Sequence, residues 1–313
     1  MLSFLLRRIV ATIPVLVIVA LIVFLMTRLA PGDPAAVIVG DTGTSADIAR
    51  VRTQLGLDQP LPVQFAKWSA QVLRGDLGES LFMKQTVASL IGQRIEPTLS
   101  LAGLTLVLTV LVAVPLGVLA AWRHGGWLDR ALMGFSVLGF SIPTFVIGYL
   151  LIWLVALKGG LLPVQGYVRL DQGLWSWLRN LILPGLTLSI VYVALIARVT
   201  RAAVAEALTE DYIRTARSKG ISERSVLVRH ALINAAVPIV TVIGIGVGLL
   251  IGGVVVTETV FAIPGLGQLT VDAVLSRDYP LIQGITLFFS VIYVLINLLV
   301  DVSYLLLDPR IRY

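Results

Sequence analysis

DYIRTARSKGISERSVLVRH, residues 211–230, holds five lysines and arginines and two acids, yet long apolar runs flank it on both sides. Charge of this density is not stable inside a bilayer or a dry core, so the segment must lie at a surface. Its pattern predicts two helices over residues 205–236 with a sharp break. Tyr212, Ile213 and Ala216 form a short apolar stripe, and Arg214, Arg217 and Lys219 leave the opposite side charged. Gly220 can take the left-handed conformation that closes a helix. Ser222 suits the next N-cap, and Glu223 suits its first turn. Two uses remain open on spacing alone. The segment lies on anionic lipid as a basic amphipathic helix, or it is a rigid protrusion that docks a partner.

The surrounding composition decides the class. Of 313 residues 57% are hydrophobic and only 13% charged, with a mean hydropathy of +0.94. Soluble domains carry about 25% charged residues, so this is a multi-span membrane protein. The net charge of +6 does not indicate nucleic acid, because the basic residues sit between apolar runs rather than in one patch. The chain has no cysteine, which removes disulfides and thiol chemistry. His124 and His230 lie far apart, and no metal centre is expected. No paired carboxylates or Ser/His/Asp set stands out, so the chain is not expected to be an enzyme.

A helix needs roughly 20 apolar residues to cross about 30 Å of hydrocarbon. Six stretches meet or approach this: Ile9–Leu29, Leu99–Trp122, Ala131–Leu157, Leu181–Ala197, Ala235–Thr257 and Leu281–Val300. The fourth continues through Val199–Val204 with Arg198 and Arg201 at the interface, and the sixth runs past Asp301 to Leu307. Only helices satisfy their own backbone in lipid here, so an all-α integral membrane protein with six transmembrane helices is expected. The first stretch, 21 residues long, exceeds a signal-peptide core of roughly 7–15 residues and is read as a retained helix.

With the N-terminus in the cytoplasm, the inside segments hold 13 lysines and arginines and the short outside loops hold four. The positive-inside rule therefore places both termini, and the opening segment, in the cytoplasm. The loop Ala30–Pro97 is too long to count in that rule. Within it, Ile48, Val51 and Leu55 recur at helical spacing before Gly56, and Val63, Ala66 and Val72 do so before Gly75. A small helical extracytoplasmic lobe is expected there. The chain thus divides into residues 1–29 (N-terminus and first helix), 30–97 (lobe), 98–307 (five further helices, with the charged loop at about 205–233) and a tail at 308–313.

Several residues in the spans fit either packing or function. Gly244, Gly248 and Gly252, at i, i+4 and i+8, bring helix backbones together or line a moving gate. Ser141 and Pro143 kink the third span, for packing or beside a pathway. Asp301, one turn after Asn297, is a functional acid or a satisfied structural one. Glu258, at the outer end of the fifth span, contacts a bound molecule or a partner protein, or caps the outer loop.

The opening stretch resembles the signature loop of the permeases of ABC importers, whose general pattern is E-A-A, three residues, G, nine residues, I-x-L-P. Aligned on Gly220, Arg214-Thr215-Ala216 occupy the first positions and His230-Ala231-Leu232-Ile233 the last, so the general pattern is degraded. The variant of the dipeptide, oligopeptide, nickel and glutathione branch fits better, through Tyr212–Gly220, Arg229-His230-Ala231-Leu232, Asn234-Ala235 and Pro238. RRIVATIPVLVIV (7–19), APGDPA (30–35), QLGLDQPL (54–61), GDLGES (75–80), ETVFAIPGLGQL (258–269), RDYPLIQG (277–284) and DPRIRY (308–313) resemble the first of the two permeases in such systems. The resemblance covers the whole chain.

It implies a type I importer permease fold in the bacterial inner membrane. It also implies a second homologous permease, two cytoplasmic ATPase subunits and an extracytoplasmic solute-binding protein. The pattern G-x-x-x-x-G-K-[ST] is absent, and GIGVGLLIGG (244–253) is followed by no lysine, so ATP and Mg²⁺ belong on the partner ATPases, with no cofactor on this chain. The loop is then a coupling helix, with Tyr212, Arg214, Ala216, Gly220 and Glu223 as docking residues. Di- or oligopeptides are the expected cargo. Nickel chelates, glutathione, opines and oligosaccharides stay open, as do an ion-coupled carrier without an ATPase and a non-transporting anchor. The uncharged span cores argue against the ion-coupled carrier.

Overall fold

The computed structural model of the chain describes residues 2–29, 34–39, 44–54 and 56–307. The tail 308–313, with Arg310 and Arg312, lies outside the described residues, as do the first four residues of APGDPA and Leu55 of QLGLDQPL. Every regular element described is helical, apart from one isolated bridge between Glu79 and Thr86. The order is α1 (Leu2–Leu29), α2 (Pro34–Val39), α3 (Ser45–Gln54), α4 (Leu61–Leu73), α5 (Val87–Trp122), α6 (Trp127–Ser141) and α7 (Thr144–Leu151). There follow α8 (Leu174–Ala207), α9 (Asp211–Ser218), α10 (Glu223–Ser225), α11 (Ala236–Val260), α12 (Leu266–Ser276) and α13 (Tyr279–Leu307). Helices α1, α5, α8, α11 and α13 are long and apolar enough to cross a membrane, and the bent pair α6–α7 makes a sixth span if counted as one.

The third span departs from expectation. Instead of one helix over Ala131–Leu157 there are two, bent by 103°. The sequence marks where the break falls: Pro143 has no N–H to donate and disfavours the helical region for the residue before it, and Ile142 is extended at φ −94°, ψ 122°. Helix α7 continues into a π-helical stretch, Ile152–Lys158. The second span starts earlier than its apolar run, since Val87–Pro97 already belong to α5. The fourth outgrows its run at both ends, reaching 34 residues.

The chain divides into two compact units. The first comprises Met1–Leu5, Glu96–Gln268 and Leu295–Tyr313. At its centre lies α8, packed by α6, α7 and α11. Two-thirds of its most apolar window is buried, against about a tenth for α1 and less for α13. Small residues make the close crossings. A Cβ on Gly117 of α5 would lie 2.6 Å from Thr200 Cβ and 2.7 Å from the Ala197 carbonyl, and one on Gly139 of α6 would lie 2.9 Å from Ala194 Cβ. Leu101, Leu181, Leu188, Tyr192, Leu250 and Phe261 form one apolar core. A second gathers Ala121, Val204, Ala207, Val226, Ala235 and Ile239 around the ends of α5 and α8.

The second unit comprises Leu6–Ile95 and Leu269–Val294. Its α3 and α4 lie where the periodicity predicts them, and Gly56 and Gly75 follow them at φ +65° and +83°. The buried face of α4 is another one, however. Val63 and Ala66 are exposed, while Gln64 is 8% exposed and Phe65 and Trp68 pack on Phe24 of α1 at 5.4 and 5.6 Å between ring centres. Gln64 is buried because its amide is fully used. It accepts from Arg28 Nε (2.9 Å) and donates to the Leu57 and Gln59 carbonyls (3.2 and 2.7 Å). A periodicity count of apolar residues gives no weight to such a glutamine.

Candidate functional site

The charged segment folds as its sequence predicts, and one side of it is spoken for. Ile213 is fully buried and Ala216 is 5% exposed; both join the core formed by Val204, Ala207, Val226 and Ala235. Burying an isoleucine contributes about 2–3 kcal/mol, so α9 is seated on the ends of α5 and α8 rather than resting on lipid by its apolar stripe. This corrects the place of Ala216: its side chain belongs to the seat and is not available to a partner.

The turn after α9 is a closed one. Gly220 has φ +77°, its N–H donates to the Arg217 carbonyl (2.9 Å), and that of Ile221 reaches back to the Ala216 carbonyl (3.2 Å). These are the two bonds of a Schellman closure. Across the turn, Arg217 Nε and Nη2 donate to Glu223 Oε1 and Oε2 at 2.8 and 3.3 Å, a half-exposed fork that bridges α9 and α10. Ser222 holds the N-cap position with extended backbone but makes no side-chain cap bond, so the clamp and not the cap defines the corner. Tyr212 is 39% exposed; burial of its other side and nearby Glu210 push its phenol above the usual value. Arg214 is exposed and pairs with Asp211 at 3.2 Å. Tyr212, Arg214, Gly220 and Glu223 thus lie on the outward surface of one rigid corner.

The remaining candidates occupy four separate places. Ser141 and Pro143 are the break between α6 and α7, where Ser141 Oγ donates to the Val137 carbonyl at 2.9 Å. The glycines of α11 do not share one seam. A Cβ on Gly244 would strike Val300 of α13, Gly248 is half-buried, and Gly252 is exposed with open space at its Cα. Glu258 is fully buried: Thr98 Oγ1 donates to Oε1 (2.6 Å) and the Gln268 N–H to Oε2 (3.0 Å), so its carboxylate caps the N-terminus of α12. Asp301 is half-buried towards the end of α13.

Two buried carboxylates escape a reading of the sequence. Asp129 is 4% exposed and is gripped by Arg201, with Nε–Oδ1 2.8 Å and Nη2–Oδ2 2.7 Å. Asp278 is 1% exposed; Ser80 Oγ donates to it at 2.5 Å, and it accepts from the Leu281 N–H at the start of α13. In the sequence both stand next to loops and look solvated; their partners lie 72 and 198 residues away. A cavity of about 620 Å³ opens in the second unit, lined by Arg28, Gln64, Lys67, Trp68, Asp76 and Tyr279 among others. No group of three or more metal-ligating side chains occurs among the described residues.

Comparison with known proteins accounts for the whole length. Residues 1–102 match the N-terminal model of binding-protein-dependent transport system membrane components. Residues 113–313 match the model described as binding-protein-dependent transport system inner membrane component. A probable peptide ABC transporter permease protein of Sinorhizobium fredii (strain NBRC 101917 / NGR234) is 56% identical over 99% of both chains. A putative peptide transport system permease protein of Brucella abortus (strain 2308) is 44% identical over the full length of both. The glutathione transport system permease protein GsiC of Salmonella paratyphi A (strain ATCC 9150 / SARB42) is 45% identical over the full length of both. Among solved structures, a chain of the MetNI methionine ABC transporter shares the fold, with a TM-score of 0.58 at 18% identity, over 70% of this chain and 96% of that one. With its multi-span helical fold and its seated charged corner, the chain belongs to the family of binding-protein-dependent transport system inner membrane components.

Proposed function

We propose that the chain is the membrane-spanning permease subunit of an ATP-driven importer and forms part of the pathway for di- or oligopeptides. The observation that carries this reading is the corner Asp211–Ser225: a rigid, charged protrusion whose inner face is buried in the protein's own core and whose outer face is free to dock. A helix that merely rested on lipid would turn its apolar stripe towards the membrane. Here Ile213 and Ala216 are spent on the bundle.

On this reading two cytoplasmic ATPase subunits grip the corner and bind the ATP and Mg²⁺. A second homologous permease completes the pathway, and a solute-binding protein delivers cargo to the lobe side. Both termini then face the cytoplasm of a bacterial inner membrane, with the lobe on the other side, in keeping with the lysine and arginine distribution. The names of the Sinorhizobium and Brucella relatives support peptide cargo. The Salmonella relative favours a second reading within the same chemistry, glutathione, itself a tripeptide.

The test is co-purification in mild detergent with the ATPase subunits and the second permease. Wild type should retain the ATPases. Gly220→Pro should lose them while the chain stays folded, because a φ of +77° is closed to proline. A wild-type permease pair that retains no ATPase would overturn the reading.

A further inference from the structure

We infer that the Asp129–Arg201 ion pair is a strut that passes movement of the docking corner into the broken helix α6–α7. The inference rests on the ATPase-coupled reading above. The pair joins three elements. Asp129 lies in the first turn of α6, Arg201 in α8, and the second oxygen of the carboxylate also accepts from the Gly125 N–H at 2.9 Å in the turn between α5 and α6. His124 Nδ1 of that turn lies 2.7 Å from Arg201 Nη2. On α8, Arg201 is followed one and two turns later by Val204 and Ala207, which form the seat of Ile213. Further along α6, the helix is keyed to α8 again where Gly139 meets Ala194 and Ser136 Oγ donates to the Ala194 carbonyl at 3.1 Å. It ends at the 103° break. Corner, α8 and α6 are thus one connected body up to Ile142.

Packing alone does not call for these residues. A buried ion pair is roughly neutral in stability against apolar residues of similar volume. What a bidentate arginine–carboxylate fork adds is direction: it fixes the sliding register of α6 on α8, which smooth small-residue contacts leave free. Transmission of a small displacement needs that register.

The test uses the assembled transporter. The chain has no cysteine, so spin labels go on Val107→Cys of α5 and Phe145→Cys of α7, both exposed. The distance between them is measured before and after trapping nucleotide with vanadate. In wild type, trapping should shift the distance distribution. In the neutral double variant Asp129→Leu/Arg201→Met, the ATPases should still bind and trap nucleotide, and the population at the shifted distance should fall about tenfold. A role in stability alone would lower the melting temperature and leave that shift intact. An undiminished shift overturns the strut, as does a wild type that traps nucleotide without any shift. Should the double variant fail to assemble, Asp129→Glu, which keeps both charges but displaces the fork, must show the same loss or the proposal falls. A wild-type permease that binds no ATPase removes the parent reading instead.

Discussion

Glu258 shows how closely one side chain can dictate its surroundings. A Cβ on Gly265 would fall on its carboxylate, and one on Gly267 would lie 2.5 Å from the Val255 backbone. The glycines of FAIPGLGQL therefore make room for the buried cap of α12. Gly265→Ala and Gly267→Ala should each destabilise the detergent-purified chain by about 1–3 kcal/mol, read as a lowered thermal midpoint. Gly252→Ala, with nothing near its Cα, should leave stability unchanged or raise it by up to about 1 kcal/mol, since alanine is the better helix former. Equal losses on alanine substitution at Gly244, Gly248 and Gly252 would restore the single glycine seam that the i, i+4, i+8 spacing suggests. The spacing marks where backbones can approach. It does not say which of them do, because that depends on side chains such as Val300 from another helix. Glu258 itself is readable as a cap or a contact, and in the structure it is buried with bonds from Thr98 and the Gln268 N–H.

Among the elements, the spans were legible because a bilayer demands a run of apolar residues long enough to cross it. The charged corner was legible because a glycine, a helix stripe and a first-turn acid are all encoded within a few residues, although the pairing of that acid with Arg217 was not. The 103° break was only half legible: Pro143 announces a disturbance, but its size depends on what holds the two arms. Those holds are strong. Leu132 and Gly139 bury one arm, and Ile147, Ile152 and Ala156 the other, each large apolar side chain contributing about 1.5–3 kcal/mol, against about 3 kcal/mol for a helix-interior proline. Pro143→Ala should therefore keep the bend. Spin labels at Met133 and Leu154 should stay about 20 Å apart, not the roughly 32 Å of a continuous helix. The longer distance would make the proline alone responsible. The Asp129–Arg201 pair was beyond a local reading, since nothing near Arg201 in sequence says that its charge is answered 72 residues away.

At the scale of the molecule, the faces of α1 and α13 stay largely uncovered within this chain, as expected of surfaces that meet lipid or a second subunit. Orientation is the property to test here. In this cysteine-free chain, Lys219→Cys should be protected from a membrane-impermeant maleimide added outside intact cells, and Lys158→Cys should react. The reverse labelling would invert the topology proposed above. The 34 residues of α8 make a rod about 51 Å long. A tilt of about 10° imposed at its Ala207 end would sweep the far end through roughly 9 Å, close to the width of a helix. With Pro184 in its first third, the rod carries its one proline far from the Ala207 end. On the reading proposed above, the mechanical advantage resides in length: a motor that moved the corner by a small angle would have no need to melt or refold any segment to open a passage wide enough for a peptide.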